Sequence, residues 1–202
     1  MKLDLLTHHR ARSSSVSMMF LTSLISLACF VSACVAQSPT PPDQSVQAQL
    51  KRALRKGRAK LESTARDLLS PLEYKVAFES GTERAFQNRY WDNKKSGIYV
   101  DLVSGKPLFS SAHKFKSGTG WPSFDRALSK LEVVEVVDKS HGMTRVEVRS
   151  KTSDIHLGHV FEDGPRKTTG RRFCINSAAL RFIPRSEMKA AGYGSWIKKA
   201  GL

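Results

Sequence analysis

After Arg84 the apolar residues of this chain come in short runs with turn residues between them, and that punctuation constrains the fold more than any other feature. Gly97-Ile98-Tyr99-Val100 and Lys106-Pro107-Leu108-Phe109 flank Ser104-Gly105, as two strands joined by a turn would. Leu131 to Asp138 and Met143 to Arg149 are separated by Lys139-Ser140-His141-Gly142, and the alternation of Val with Glu and Arg in the second run predicts a half-buried strand. Phe173 to Ile183 predicts a further strand. Upstream, Ser70-Pro71-Leu72-Glu73 has the capping-box pattern and predicts a short helix to about Glu79. The tail, Ser186 to Leu202, reads as a short helix with a loop at Gly192 and Gly194. The expected class is mainly β, antiparallel sheets with short flanking helices. A chain of 202 residues with 40% hydrophobic content has room for one such core plus extra segments.

The extra segments lie at the N-terminus. Lys2, Arg10 and Arg12 precede an apolar run from Met18 to Ala36, the order of a secretory signal. Val31-Ser32-Ala33-Cys34 is similar to a bacterial lipobox, in which Cys34 would carry lipid. Cleavage after Ala36 and an uncleaved anchor are the other two readings, and all three place the domain outside the cytosol, in the periplasm or on a membrane. Residues 1–36 are therefore expected to be an address. Residues 37–68 are expected to be a Pro- and Gln-rich linker followed by a basic helix, Ala48 to Leu69, acting as a stalk. Lys51 to Arg66 holds seven basic residues and one acidic one, within a formal net charge of +15. This run is either a solvated helix face or a contact with anionic lipid. It has no aromatic interleaving or nucleic-acid motif, so no nucleic-acid partner is expected.

Of the three cysteines, Cys29 and Cys34 sit in the apolar N-terminal run, which leaves Cys174 alone in the domain. On a strand, Arg172, Cys174 and Asn176 share one face, while Phe173 and Ile175 share the other. The apolar pair suits a core, so the thiol faces a pocket or the surface. His156 and His159 lie three residues apart, a spacing that puts them on opposite faces of a regular strand. Gly158 between them permits a bulge that aims both the same way. One Cys and two His leave three chemistries open. Zinc would need a fourth ligand, for which Asp163 is a candidate. A Cys-His-Asn hydrolase would use Asn176. Thiol redox chemistry would use Cys174 as a nucleophile.

The motifs around these residues resemble the B-type methionine-sulfoxide reductases, whose fold pairs two antiparallel β-sheets. The resemblance is carried by Gly81-Thr82-Glu83, Tyr90-Trp91-Asp92-Asn93 and Ser117-Gly118-Thr119-Gly120-Trp121-Pro122-Ser123-Phe124. It continues in His156-Leu157-Gly158-His159-Val160-Phe161-Glu162-Asp163-Gly164-Pro165 and Arg172-Phe173-Cys174-Ile175-Asn176-Ser177-Ala178. It runs from Leu69 to Pro184, within a domain placed at 69–185 and followed by the tail, 186–202. The resemblance implies that Cys174 attacks the sulfur of the R epimer of methionine sulfoxide. Arg172 would favour the thiolate, and His156 and His159 would hold and protonate the sulfoxide oxygen. Asn176 would bond in the same pocket, Asp163 would orient a histidine or water, and Trp121 would cradle the substrate methyl. Oxidised proteins or peptides are the implied substrates, and a monomer the expected state. A non-catalytic binding module of the same fold and a cysteine hydrolase using Cys174, a histidine and Asn176 are the alternatives.

Two departures from the family pattern carry expectations of their own. Thr119 stands where many members have a resolving cysteine. Asp101, Ser104, Ser150 and Ser153 stand where others have four zinc-binding cysteines. No zinc and no internal disulfide are expected, and the sulfenic acid left on Cys174 must be reduced by an outside thiol, a thioredoxin-like protein or glutathione.

Overall fold

The computed structural model describes residues 44–202. The N-terminal address, with Cys29 and Cys34, lies outside the described residues. Three helices, α1 (Gln44–Arg55), α2 (Arg58–Leu68) and α3 (Pro71–Phe78), precede nine short strands. These are β1 (Gly97–Asp101), β2 (Pro107–Ser110), β3 (Lys114–Phe115), β4 (Ser123–Phe124), β5 (Val133–Asp138), β6 (Arg145–Ser150), β7 (His156–Phe161), β8 (Arg172–Ile175) and β9 (Leu180–Pro184). A one-turn helix, α4 (Trp196–Lys199), lies in the tail. The strands form two antiparallel sheets, one of three strands in the order β2-β1-β9 and one of six in the order β3-β4-β8-β7-β6-β5. The mainly β, two-sheet class read from the sequence is the class observed.

Aromatic rings fill the space between the sheets. Phe109 stacks on Phe124 at 4.6 Å, Tyr99 meets Phe124 edge-on at 5.0 Å, and Phe173 lies 5.9 Å from Phe109. Residues of β1 are buried on both faces, with Tyr99 in this core and Ile98 and Val100 in a second cluster with Ile183, Met188 and Ala200. The tail closes that second cluster, tied down where Ser110 Oγ donates to the Ala200 carbonyl at 2.6 Å. At α3 the capping box forms in full: Ser70 Oγ accepts from the Glu73 amide and the Glu73 carboxylate accepts from the Ser70 amide, an arrangement worth about 1 kcal/mol.

Two expectations are corrected. The strand expected over Phe173–Ile183 is two strands in different sheets, β8 and β9, joined by a 3-10 turn at Ser177–Ala179. The turn forms because Glu83 reaches it from far away in sequence: its carboxylate accepts the Ser177 amide and, at 2.9 Å, the Ala178 amide. Burial raises the Glu83 pKa, and those amide bonds oppose the rise. The expected linker and stalk are also different from residue 44 onward. Helix α1 starts inside the expected linker, and α1 and α2 pack on the domain through Leu50, Ala53, Leu61 and Ala65. Several of the basic side chains there are engaged internally. Arg58 pairs with Glu62 at 2.5 Å and donates to the Asp154 carbonyl at 3.0 Å, and Arg66 lies over the Tyr74 ring and donates to its hydroxyl at 2.8 Å. None of the helices among the described residues is long and apolar enough to cross a membrane.

The four positions matched to zinc-binding cysteines form a buried hydrogen-bonded knot. Asp101 accepts from the amides of Val103 at 2.7 Å and Ser104 at 2.8 Å, and from Ser153 Oγ at 2.5 Å. Ser150 Oγ accepts the Ser153 amide at 3.4 Å. Serine hydroxyls and a carboxylate already bonded on both oxygens do not fit zinc, which takes thiolate, imidazole or free carboxylate.

Candidate active site

Cys174 sits in β8 between Phe173 and Ile175, which are buried in the core, so its thiol lies on the opposite face and is half-buried. Register brings its neighbours: Ser123 of β4 on one side, His159 of β7 on the other. The histidine spacing is resolved by a bulge. Gly158 faces Val148 but His156 faces Arg149, so Leu157 is an extra residue that drops into the core. His156 thereby returns to the face of His159, and the two rings lie 5.5 Å apart, edge to face. Gly158 has a φ of +155°, and a Cβ there would meet the Cys174 carbonyl oxygen at 2.1 Å. Only glycine fits between the strand of Cys174 and the histidines.

Each histidine is held by a carboxylate that the sequence reading did not single out. His156 Nδ1 lies 2.6 Å from Glu147 of β6, and His159 Nε2 lies 2.8 Å from Asp138 of β5. Strand alternation puts Glu147 on the thiol's face, which was the available signal; choosing it required the β6–β7 register. Glu147 is itself paired with Arg149 at 3.0 Å. Asp138 is held well below the usual carboxylate range by hydrogen bonds from Ser140 and His159 and by Arg145. His156 Nε2 is buried and has no hydrogen-bond partner. Burial lowers the His156 pKa more than Glu147 raises it, so the resting ring is neutral.

The remaining expected residues lie in the same region, some with partners other than those expected. Arg172 forks onto Asp163 with bonds of 2.8 and 2.9 Å and lies over the Phe161 ring at 4.5 Å. Asp163 thus holds Arg172, where a histidine or water was expected. Arg172 was expected to favour the Cys174 thiolate, and its charge does pull the thiol pKa down; burial pushes it up further, and Asp163 works against Arg172. Asn176 bonds to backbone on both sides of its amide, accepting from the Glu83 amide at 3.2 Å and donating to the Leu157 carbonyl at 3.2 Å. It fixes the end of β8, and neither histidine is its partner in those bonds. Thr119, at the matched resolving position, has its hydroxyl 4.0 Å from Cys174 Sγ. Trp121 is aimed by a bond from its indole N–H to the Glu83 carbonyl at 3.1 Å, and it lines a cavity of about 540 Å³ walled also by Ser117, Gly118 and Gly120.

A half-buried thiol, two carboxylate-held histidines and an aromatic-lined cavity on a two-sheet β fold suit an enzyme of the thiol-redox class. The comparisons agree with that class. Residues 69–184 match the SelR domain. Over 129 residues, 64% of this chain, the protein is 56% identical to the peptide methionine sulfoxide reductase MsrB of Staphylococcus saprophyticus, covering 91% of that protein. The chain belongs to the SelR family, the B-type methionine-sulfoxide reductases.

Proposed function

We propose that the protein reduces the R epimer of methionine sulfoxide in oxidised polypeptides, with Cys174 as nucleophile and an external thiol as reductant. The observation that carries this reading is the bulge at Gly158, which sets His156 and His159 on the thiol's face and leaves His156 Nε2 without a partner. A sulfoxide sulfur is pyramidal. With its methyl on Trp121, its oxygen at the histidines and its sulfur toward Cys174, only one epimer directs the rest of the side chain outward.

The resting protonation state suits the reaction. Net oxygen transfer converts a thiol and a sulfoxide into a sulfenic acid and a thioether, with no proton gained or lost. The proton therefore starts on Cys174, whose thiol burial keeps protonated. Neutral His156 has a lone pair free to take it, with Glu147 stabilising the imidazolium. From there it passes to the sulfoxide oxygen as the Cys174 sulfur attacks. Two external thiols then reduce the sulfenic acid to Cys174 thiol, forming one disulfide and one water. Thr119 offers no sulfur for an internal disulfide, which supports an external donor, a thioredoxin-like protein or glutathione.

The basic N-terminus, the apolar run and Val31-Ser32-Ala33-Cys34 support export, with Cys34 as a lipid anchor. Mass spectrometry of the mature N-terminus tests that part. For the chemistry, the full chain is assayed on R and S methionine sulfoxide with dithiothreitol. The R epimer alone is reduced, and Cys174→Ser loses at least about 10³-fold in activity. Equal turnover of both epimers overturns the stereochemical reading, and an active Cys174→Ser variant overturns the nucleophile.

A further inference from the structure

We propose that the cavity beside Cys174 extends into a subsite for the residues flanking the oxidised methionine, and that it selects an apolar residue accompanied by an acidic one. The proposal rests on the reductase reading and carries it from the reacting side chain to its neighbours in the polypeptide.

The floor of the subsite is an apolar surface held in water at a cost. Phe86 is 53% exposed and has a φ of 60°, a left-handed backbone that side chains other than glycine seldom adopt. Its amide donates to the Gly120 carbonyl at 2.9 Å, and Gly120 leaves the space: a Cβ there would lie 2.7 Å from the Phe86 nitrogen. The ring so presented meets Trp91 edge-on at 5.3 Å, and Trp91 is itself 37% exposed. Lys114 fixes Trp91 by donating to its carbonyl at 2.9 Å. A strained backbone that displays two exposed aromatic rings is the kind of feature found where a ligand supplies the missing burial.

The rim is basic. Lys94 and Lys116 are exposed among the residues lining the cavity, Lys114 is half-buried there, and Asp92 is the acidic residue among them. On the other side of Cys174 stand Asp138, Glu147 and Asp163. Each of those carboxylates is paired with an arginine, so the unneutralised charge that an acidic substrate residue meets is that of the lysines, which draws the chain to their side. One loop links the subsite to Cys174. Ser117, Gly118, Gly120 and Trp121 wall the cavity, and Thr119 between them touches Cys174. An extended chain advances about 3.4 Å per residue, so the first one or two residues beside the sulfoxide fall on this floor.

The test uses the full chain, dithiothreitol and blocked synthetic peptides carrying methionine sulfoxide next to Leu-Asp, Leu-Lys or Gly-Gly on either side. The expected result is a kcat/KM about tenfold higher for the Leu-Asp peptide than for the Leu-Lys peptide at low salt, shrinking as salt is added. The double variant Lys94→Glu/Lys116→Glu inverts that ratio, and Phe86→Ala narrows the gap between the Leu-Asp and Gly-Gly peptides. Because each ratio is taken within one enzyme, a loss common to all peptides cancels. Equal kcat/KM for acidic and basic peptides, or a ratio unmoved by the double variant, overturns the subsite while methionine sulfoxide reduction stands. No reduction of any peptide overturns the underlying reading as well.

Discussion

Two polar clusters are built into these sheets, and they differ in what is left over. The knot of Asp101, Ser104, Ser150 and Ser153 is closed, with each of its four side chains hydrogen-bonded inside the protein. The cluster of Cys174, His156, His159, Glu147 and Asp138 is open, with a buried imidazole nitrogen lacking a partner and a thiol that burial keeps protonated. Buried polar groups are nearly always paired, so a complete set of bonds marks a structural role and a spare one marks a place where something else binds. On this reasoning the knot ties the end of β1 to the turn after β6, and the open cluster is where the chemistry is proposed.

The sharpest way to break the comparison is to open the closed cluster. Asp101→Ala leaves two buried amides and the Ser153 hydroxyl without their acceptor. With each such loss costing about 1–3 kcal/mol before water or relaxation compensates, the expected destabilisation is about 3 kcal/mol, read by urea unfolding. Activity per folded molecule stays near the parent value. A variant that unfolds normally but turns over poorly would place the knot in the chemistry and sink the distinction.

A smaller effect comes from the open cluster. Glu147→Gln keeps an oxygen for His156 Nδ1 and removes the charge that stabilises the imidazolium. The expected loss is about tenfold in kcat, the scale of weakening one acid–base partner. Because Glu147 raises the His156 pKa, the variant also shifts the acid limb of the kcat profile to lower pH, since the ring must now be forced to ionise without its counter-charge. A loss of activity through unfolding alone would leave that limb where it was.

What the sequence disclosed, and what it hid, follows the range of the interactions involved. Cys174 and its register were legible because Phe173 and Ile175 alternate with it, and the bulge was legible because Gly158 separates two histidines. Both signals lie within a few residues. Glu147 and Asp138 were not singled out, because their partners are on other strands and nothing local distinguishes them from surface charges. The break between β8 and β9 was hidden for the same reason, as Glu83 makes it from 94 residues away. The start of helix α1, ahead of the basic helix expected from Ala48, was obscured by its composition. Its Ser and Gln content reads as linker, yet Leu50 and Ala53, spaced for one helix face, find a core to cover. Asp163 was placed in the site by resemblance, and only geometry shows that its partner is Arg172.

The mildest test concerns that last pair and the reactivity of the thiol itself. Asp163 spends the charge of Arg172 on a fork of two hydrogen bonds, and its own charge also raises the Cys174 pKa. Asp163→Asn removes the negative charge and leaves the guanidinium facing the sulfur. A positive neighbour favours the thiolate, so the thiol pKa falls in this variant. In the parent protein the thiol titrates above the ordinary cysteine range, and alkylation by iodoacetamide accelerates as pH rises through that value. In Asp163→Asn the same acceleration comes at lower pH, and Arg172→Met moves it the opposite way. If the two variants shift together, the Arg172–Asp163 fork sets only the position of β8, and the restraint on Cys174 comes from burial alone.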